Sequence, residues 1–301
     1  MAEIAATTPA LSVRRLCPLL GLSRSWWYAR QRPPAPAVQA VALRDAIESI
    51  VLDFPGYGYR RVTHALPRAG WVVNGKRVLR IMREESLLCQ LQRRFAVTTA
   101  SRHGLGSYPN LLREQILTGP NQAWVADITY IRLPTTFCYL AAILDAFSRR
   151  CVGWDLSLRI DADLTLAALE HAIRCRQPTP GLIHHSDHGV QYASTRYVDR
   201  LEQIRAQISM AAVGNVYENA LAESFFATLK REEVYLHDYQ SFAEAAANLE
   251  RFLEDVYNHK RLHSSLGYRP PSEFEALWND ERDDARFLEG RRNLTSVLVR
   301  S

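Results

Sequence analysis

Up to about residue 90 the apolar positions recur every three or four residues, the spacing of helices with one buried side. Val13, Leu16 and Leu20 form a first set that Pro18 disturbs, Gly21 breaks the chain, and Ser23 can cap a second short helix through Trp26, Trp27 and Tyr28. Pro33-Pro34-Ala-Pro36 reads as a stiff linker. Ile47, Ile50 and Val51 mark the next helix, and Phe54 to Tyr59 is a loop. Arg60 to Arg68 forms a short helix bearing Val62 and Leu66, which Gly70 stops. Asn74 can cap a helix reaching about Glu85, with Val78, Ile81 and Met82 toward one side.

From Asn121 the rhythm shortens to the alternation of strands. Trp124 to Ile131 places Val125, Asp127, Thr129 and Ile131 on one face. Phe137 to Ala146 and Cys151 to Leu158 follow, joined by the turn at Phe147-Ser-Arg-Arg150. Asp161 or Asp163 can cap a helix with Leu166, Leu169 and Ile173 inward. A strand from Gly181 to Asp187, a helix from Ser194 to Arg205 and a strand from Ala206 to Met210 complete a layered α/β pattern. Gly214 to Lys230 then reads as a loop feeding a helix, with Asn219 positioned to cap it and Leu221, Phe225 and Leu229 as its apolar stripe. Ser241-Phe-Ala-Glu244 is a capping box opening a long helix with Phe242, Ala246, Leu249, Phe252, Leu253 and Val256 inward, and a basic polar loop runs from Tyr257 to Pro271. The pattern divides the chain at 1–36, 37–90 (an all-α, helix-turn-helix-like unit), 91–120 (a basic connector), 121–277 (the α/β core) and 278–301 (a tail).

Charge follows the same division. Residues 1–120 hold 17 Lys+Arg against 7 Asp+Glu, a balance of +10, while residues 121–301 hold 20 against 25, a balance of −5. A cationic front suits nucleic acid, and Lys76, Arg77, Arg80 and Arg83 on the helix after Asn74, with Arg93 and Arg94 beyond it, are the candidate DNA contacts. The five cysteines are scattered without a C-x-x-C, which argues for a reducing, cytosolic setting and against a zinc knuckle. No apolar run approaches the roughly 20 residues of a membrane span, and no secretory signal is evident.

The candidate chemistry lies in acids placed among apolar neighbours. An ionised carboxylate in such a setting needs a cation or strong donors. Asp127 sits mid-strand, Asp187 ends a strand, and Glu223 opens a helix, with 59 and 35 residues between successive acids. Three oxygen donors suit hard divalent cations, two of which could serve phosphoryl transfer. Lys230 lies on the same side of its helix as Glu223, where it could meet a phosphate.

Trp124-Val-Ala-Asp127-Ile-Thr-Tyr-Ile131, His185-Ser-Asp187-His-Gly-Val-Gln-Tyr192 and Tyr217-Glu-Asn-Ala-Leu-Ala-Glu223-Ser-Phe-Phe226 together resemble the DD(35)E signature of the insertion-sequence-3 family of bacterial transposases, in particular its downstream-frame (orfB-type) product. The likeness extends from about Leu11 to Phe274, including Asn258, Arg261 and His263-Ser-Ser-Leu-Gly-Tyr268. Glu218, His188 and Pro270 depart from the usual Asp, Arg and Thr, and none of them belongs to the acid triad. The resemblance implies an RNase H-like integrase core with two Mg²⁺ or Mn²⁺ ions held by Asp127, Asp187 and Glu223. It further implies cleavage at transposon ends followed by strand transfer from a DNA 3′-OH. Lys230, Asn258, Arg261 and His263 become DNA contacts by position, and His185 and Asn219 become groups that orient the acids. Implied partners are end DNA, target DNA, further copies of the chain and the upstream-frame (orfA-type) protein, in a cytoplasmic, nucleoid-associated setting. Three further candidates remain: Asp145 paired with an Arg, Glu218 as a replacement ligand, and His184 or His185 in zinc or general-base roles.

Overall fold

The computed structural model describes residues 13–31, 37–89, 108–113, 115–187, 189–211, 219–280 and 282. The proline linker, Arg93, Arg94, Arg102, His188, the loop before Asn219 and the tail beyond residue 282 lie outside them. Two short helices, α1 (Val13–Leu19) and α2 (Arg24–Gln31), meet at a turn where Ser23 Oγ accepts the Trp26 N–H. α3 (Ala37–Asp53), α4 (Tyr59–Ala65) and α5 (Gly75–Glu84) then close on a core of Leu43, Ile47, Val62, Leu66, Val78 and Met82. Asn74 Oδ1 accepts the Lys76 N–H at 2.8 Å, so α5 begins where the polar residue before the apolar repeat places it.

The second unit is a five-stranded sheet in the order β3-β2-β1-β4-β5. Its strands are β1 (Ala123–Arg132), β2 (Phe137–Asp145), β3 (Cys151–Ser157), β4 (Ile183–Ser186) and β5 (Gln207–Met210). The first three form an antiparallel meander, and β4 and β5 run parallel to β1. Helix α6 (Ala162–Arg176) crosses over between β3 and β4, and α7 (Thr195–Gln203) between β4 and β5. Leu140, Ala142 and Leu144 of β2 face α8 (Ala220–Glu232) and α9 (Phe242–Arg251), whereas Ala141 and Ile143 face α6 and α7. The period of two along β2 thus separates two apolar layers. Gly153 lets α6 approach β3 closely, since a Cβ there would lie 2.5 Å from the Ala168 carbonyl oxygen. A mixed sheet of this order, covered by helices on both faces, bears out the layered α/β pattern of the sequence and matches the RNase H-like architecture that the resemblance implies. Among the described residues no helix is long and apolar enough to cross a membrane.

Local chemistry differs from the sequence-based expectation at three points. Among the described residues Asp145 forms no ion pair with an Arg; its carboxylate accepts the N–H groups of Asn121, Phe147 and Ser148. A tight turn beside a buried acid supplies its donors from the backbone. Asn219 stands at the start of α8 without capping it, and its buried Oδ1 has no hydrogen-bond partner among the described residues. The long helix from Ser241 widens at Phe252–Tyr257 into a π-helical turn.

The helical front and the sheet meet along the segment that follows this turn. Leu262 joins the apolar core of α3–α5, and its N–H donates to the Tyr57 hydroxyl at 2.7 Å. His64 stacks on Tyr268 with ring centres 3.6 Å apart, and Arg68 pairs with Glu273 at 2.7 Å.

Candidate active site

The register of two strands brings the first two acids together. In the β1–β4 pair Ala126 stands opposite Ser186. The next residues are Asp127 and Asp187, so the acids leave neighbouring strands at the same level, and adjacent strands lie about 4.8 Å apart. The Ile128 N–H donates to Asp127 Oδ1 at 2.8 Å, and the Gly189 N–H donates to Asp187 Oδ1 at 2.9 Å. Glu223 lies in the first turn of α8, on an exposed position of a helix anchored by Phe225, Phe226 and Leu229.

Electrostatics links all three acids. Burial pushes the Asp127 carboxyl up to about 7, and the charges of Asp187 and Glu223 add to the rise, while the Ile128 hydrogen bond and Lys230 oppose it. Asp127 is therefore a desolvated acid facing two others, with one ammonium group as partial compensation. Among the described residues no three His, Cys, Asp or Glu side chains stand together as one ion's complete ligand set. The donor chemistry fits a hard divalent cation: carboxylate oxygens, one of them poorly solvated and surrounded by like charge.

Lys230 sits two turns beyond Glu223, its Nζ 4.5 Å from the centre of the Tyr130 ring. Burial lowers its pKa and Asp127 opposes that shift. His185 is buried, with Nδ1 2.8 Å from the Ser209 hydroxyl, whose oxygen accepts the Leu111 N–H. His184 faces the other layer, its Nε2 2.9 Å from the Tyr197 hydroxyl, and burial holds it neutral with a pKa near 3.

The structure also places Tyr192, to which sequence reasoning assigned no role. Its hydroxyl is buried without a hydrogen-bond partner among the described residues, and burial with the charges of Tyr197, Asp127 and Asp187 raises its pKa. The signal was present in the segment ending Gly-Val-Gln-Tyr192, but a tyrosine five residues after an acid is not distinctive by itself.

The predicted DNA contacts divide into two groups. Lys76, Arg77, Arg80 and Arg83 are exposed on α5, with Arg80 3.7 Å from Glu84. Asn258, Arg261 and His263 are instead interior residues, 1%, 2% and 7% exposed, which corrects the expectation that they meet DNA. Asn258 bonds both the N–H and the carbonyl of Cys151. Arg261 makes two 2.7 Å bonds to Glu232, and His263 packs edge-on against Tyr257.

Two family models described as integrase core domain match residues 118–216 and 204–271, and one described as an HTH-like domain matches residues 39–95. The transposase for insertion sequence element IS904 of Lactococcus lactis is 38% identical, over 81% of this chain and 98% of the relative. Transposase InsF for insertion sequence IS3A of Escherichia coli is 34% identical, over 88% of this chain and 94% of the relative. The HTLV-2 integrase catalytic core domain, solved in complex with magnesium, aligns with a TM-score of 0.42 at 16% identity, over 52% of this chain and 98% of that one.

Proposed function

This chain belongs to the insertion-sequence-3 family of transposases, whose integrase core acts in DNA transposition and integration, and from that premise we propose that Asp127, Asp187 and Glu223 are its catalytic, metal-holding acids. The observation that carries the reading is the level register of Asp127 with Asp187, beside a helix whose first turn presents Glu223. Asp127, Asp187 and Glu223 would together hold two Mg²⁺ or Mn²⁺ ions. Such ions, when bound, make a water or a DNA 3′-OH a better attacking group and neutralise charge on the scissile phosphate.

The chain's own residues hold and orient the reactants. The backbone donors at Ile128 and Gly189 aim the two aspartates. Lys230 offers a cation to a phosphate of the end DNA, and its burial keeps it short of water. The exposed α5 cations grip flanking DNA, with Arg93 and Arg94 as further candidates. His185 orients the Asp187 segment through its strand. End cleavage comes first, and the freed 3′-OH then attacks target DNA. The domain divisions 1–36, 37–90, 91–120, 121–277 and 278–301 separate end recognition from chemistry. Two or more copies acting on paired ends, with the upstream-frame protein as partner or fusion, fit a cytoplasmic, nucleoid-associated reaction.

The test mixes the full chain, Mn²⁺ and labelled element-end DNA. Nicked and joined products are expected from the parent protein, and none from Asp127→Asn or Glu223→Gln, with end binding kept. Normal reaction by those variants would overturn the assignment, and nicks without joined product would reduce the activity to hydrolysis.

A further inference from the structure

We infer that Arg261 and Glu232 form a latch through which the helical front positions the catalytic helix α8, an inference that rests on the transposase reading above. Glu232 is the last residue of α8, nine residues after Glu223 on one continuous helix. At 1.5 Å of rise per residue the two lie about 14 Å apart along a rigid rod. Whatever fixes the far end of α8 therefore sets where Glu223 stands.

Three elements fix that end. Arg261, inside the core, grips both carboxylate oxygens of Glu232, each at 2.7 Å. A bidentate pair of this kind fixes direction as well as distance. The front unit supplies the other walls: Arg61 Nη1 is 3.8 Å from the same carboxylate, and the Tyr57 hydroxyl accepts the N–H of Leu262, next to Arg261. Gly56 lies directly on the Glu232 side chain, where a Cβ would come within 2.4 Å of Cγ and 2.8 Å of Cδ. Glu232 has no free rotation to yield, because Arg261 holds its tip.

A pair serving only the stability of the core would need no contact from the front unit. Here the front closes over the carboxylate with a residue that has no side chain, and adds a second guanidinium. Movement of the front on DNA is thereby transmitted to the end of α8 and along it to Glu223. Arg261 is a positioning residue in this scheme: it touches neither substrate nor the reacting atoms.

The experiment compares Gly56→Ala, Glu232→Ala and the double variant, each as the full chain, with Asp127→Asn as the inactive control. In the absence of metal, Gly56→Ala is expected to speed amide exchange in residues 220–232 while leaving 162–176 unchanged. With Mn²⁺, end cleavage is expected to fall about a hundredfold, the cost of displacing a catalytic group by roughly 1 Å. The half-saturating Mn²⁺ concentration should rise, which a loss of folded protein alone would not cause. In the Glu232→Ala background the added methyl has space, so Gly56→Ala should have no further effect. Parental exchange and cleavage in Gly56→Ala, or fully additive losses in the double variant, would overturn the latch. A parent that makes no product, or an active Asp127→Asn, would instead overturn the transposase reading, and the exchange comparison would still decide the latch.

Discussion

Lys230 Nζ lies 4.5 Å from the centre of the Tyr130 ring, and Tyr130 is three residues beyond Asp127 on β1. An ammonium over an aromatic face, partly stripped of water, is both oriented and strengthened as a phosphate partner. Lys230→Met should weaken end-DNA binding and reduce the slope of log affinity against log salt by about 0.9, the share of one phosphate contact. Lys230→Arg should retain most of that slope. A Lys230→Met protein with parental slope would show that the lysine only covers the tyrosine ring.

A buried acid among like charges carries a cost in stability when no cation is bound. Burial and two like charges raise the Asp127 pKa to about 7, so at pH 8 its ionised form opposes folding. Asp127→Asn should therefore stabilise the metal-free protein by about 1 kcal/mol while removing cleavage. Added Mn²⁺ should raise the melting temperature of the parent and have much less effect on the variant, because only the parent gains a ligand. A lower melting temperature for Asp127→Asn at pH 8 would mean that the carboxylate has better internal partners than Ile128 and Lys230.

Asn258 holds β3 rather than DNA. Its side chain accepts the Cys151 N–H at 3.0 Å and donates to the Cys151 carbonyl at 2.9 Å, wholly inside the fold. Asn258→Ala leaves two buried backbone groups unpaired, which should cost about 2 kcal/mol or more. Thermal melting should show the loss, with end-DNA affinity per folded molecule unchanged. Weaker binding at parental stability would return Asn258 to the DNA surface.

The three candidate acids stand out in the chain because each sits in its own short segment, in an apolar strand, at a strand end or at a helix start. The two layers of the sheet were not legible along β2, whose sequence is apolar almost throughout; only the folded strand separates Ala141 and Ile143 from Leu140 and Ala142. What the sequence concealed was long-range pairing. Arg261 reads as a surface cation in a basic loop because its partner Glu232 lies 29 residues away, and Asn258 finds Cys151 at a separation of 107. Asp145 misleads in the same way, as its donors come from backbone that only the folded turn brings near. Asn219 shows the limit of local rules: the right residue type occupies the start of α8, and the helix begins without its side chain.

Glu275, on the helix over residues 271–280, ties the end of the described chain to the sheet. It receives two bonds from Arg176, at 2.8 Å each, and one each from Arg150 and the Ser148 hydroxyl. Burial raises its pKa, but the Arg176, Ser148 and Arg150 bonds outweigh burial and hold the carboxyl below its ordinary 4.5. An unfolded chain binds this proton at a higher pH than the folded one, so the tie contributes stability above pH 4.5 and loses it as the pH falls through the folded value. Glu275→Gln should be less stable than the parent at pH 7, and the gap should narrow in acid. The variant also relieves Asp145, whose carboxyl burial raises and Glu275 raises further. That relief is greatest where Asp145 is ionised, so it reduces the gap at neutral pH without reversing the trend in acid. Denaturant midpoints for both proteins between pH 7 and pH 3.5 would measure the difference. A gap that widens as the pH falls would mean that burial, not the two guanidinium groups, governs this carboxyl.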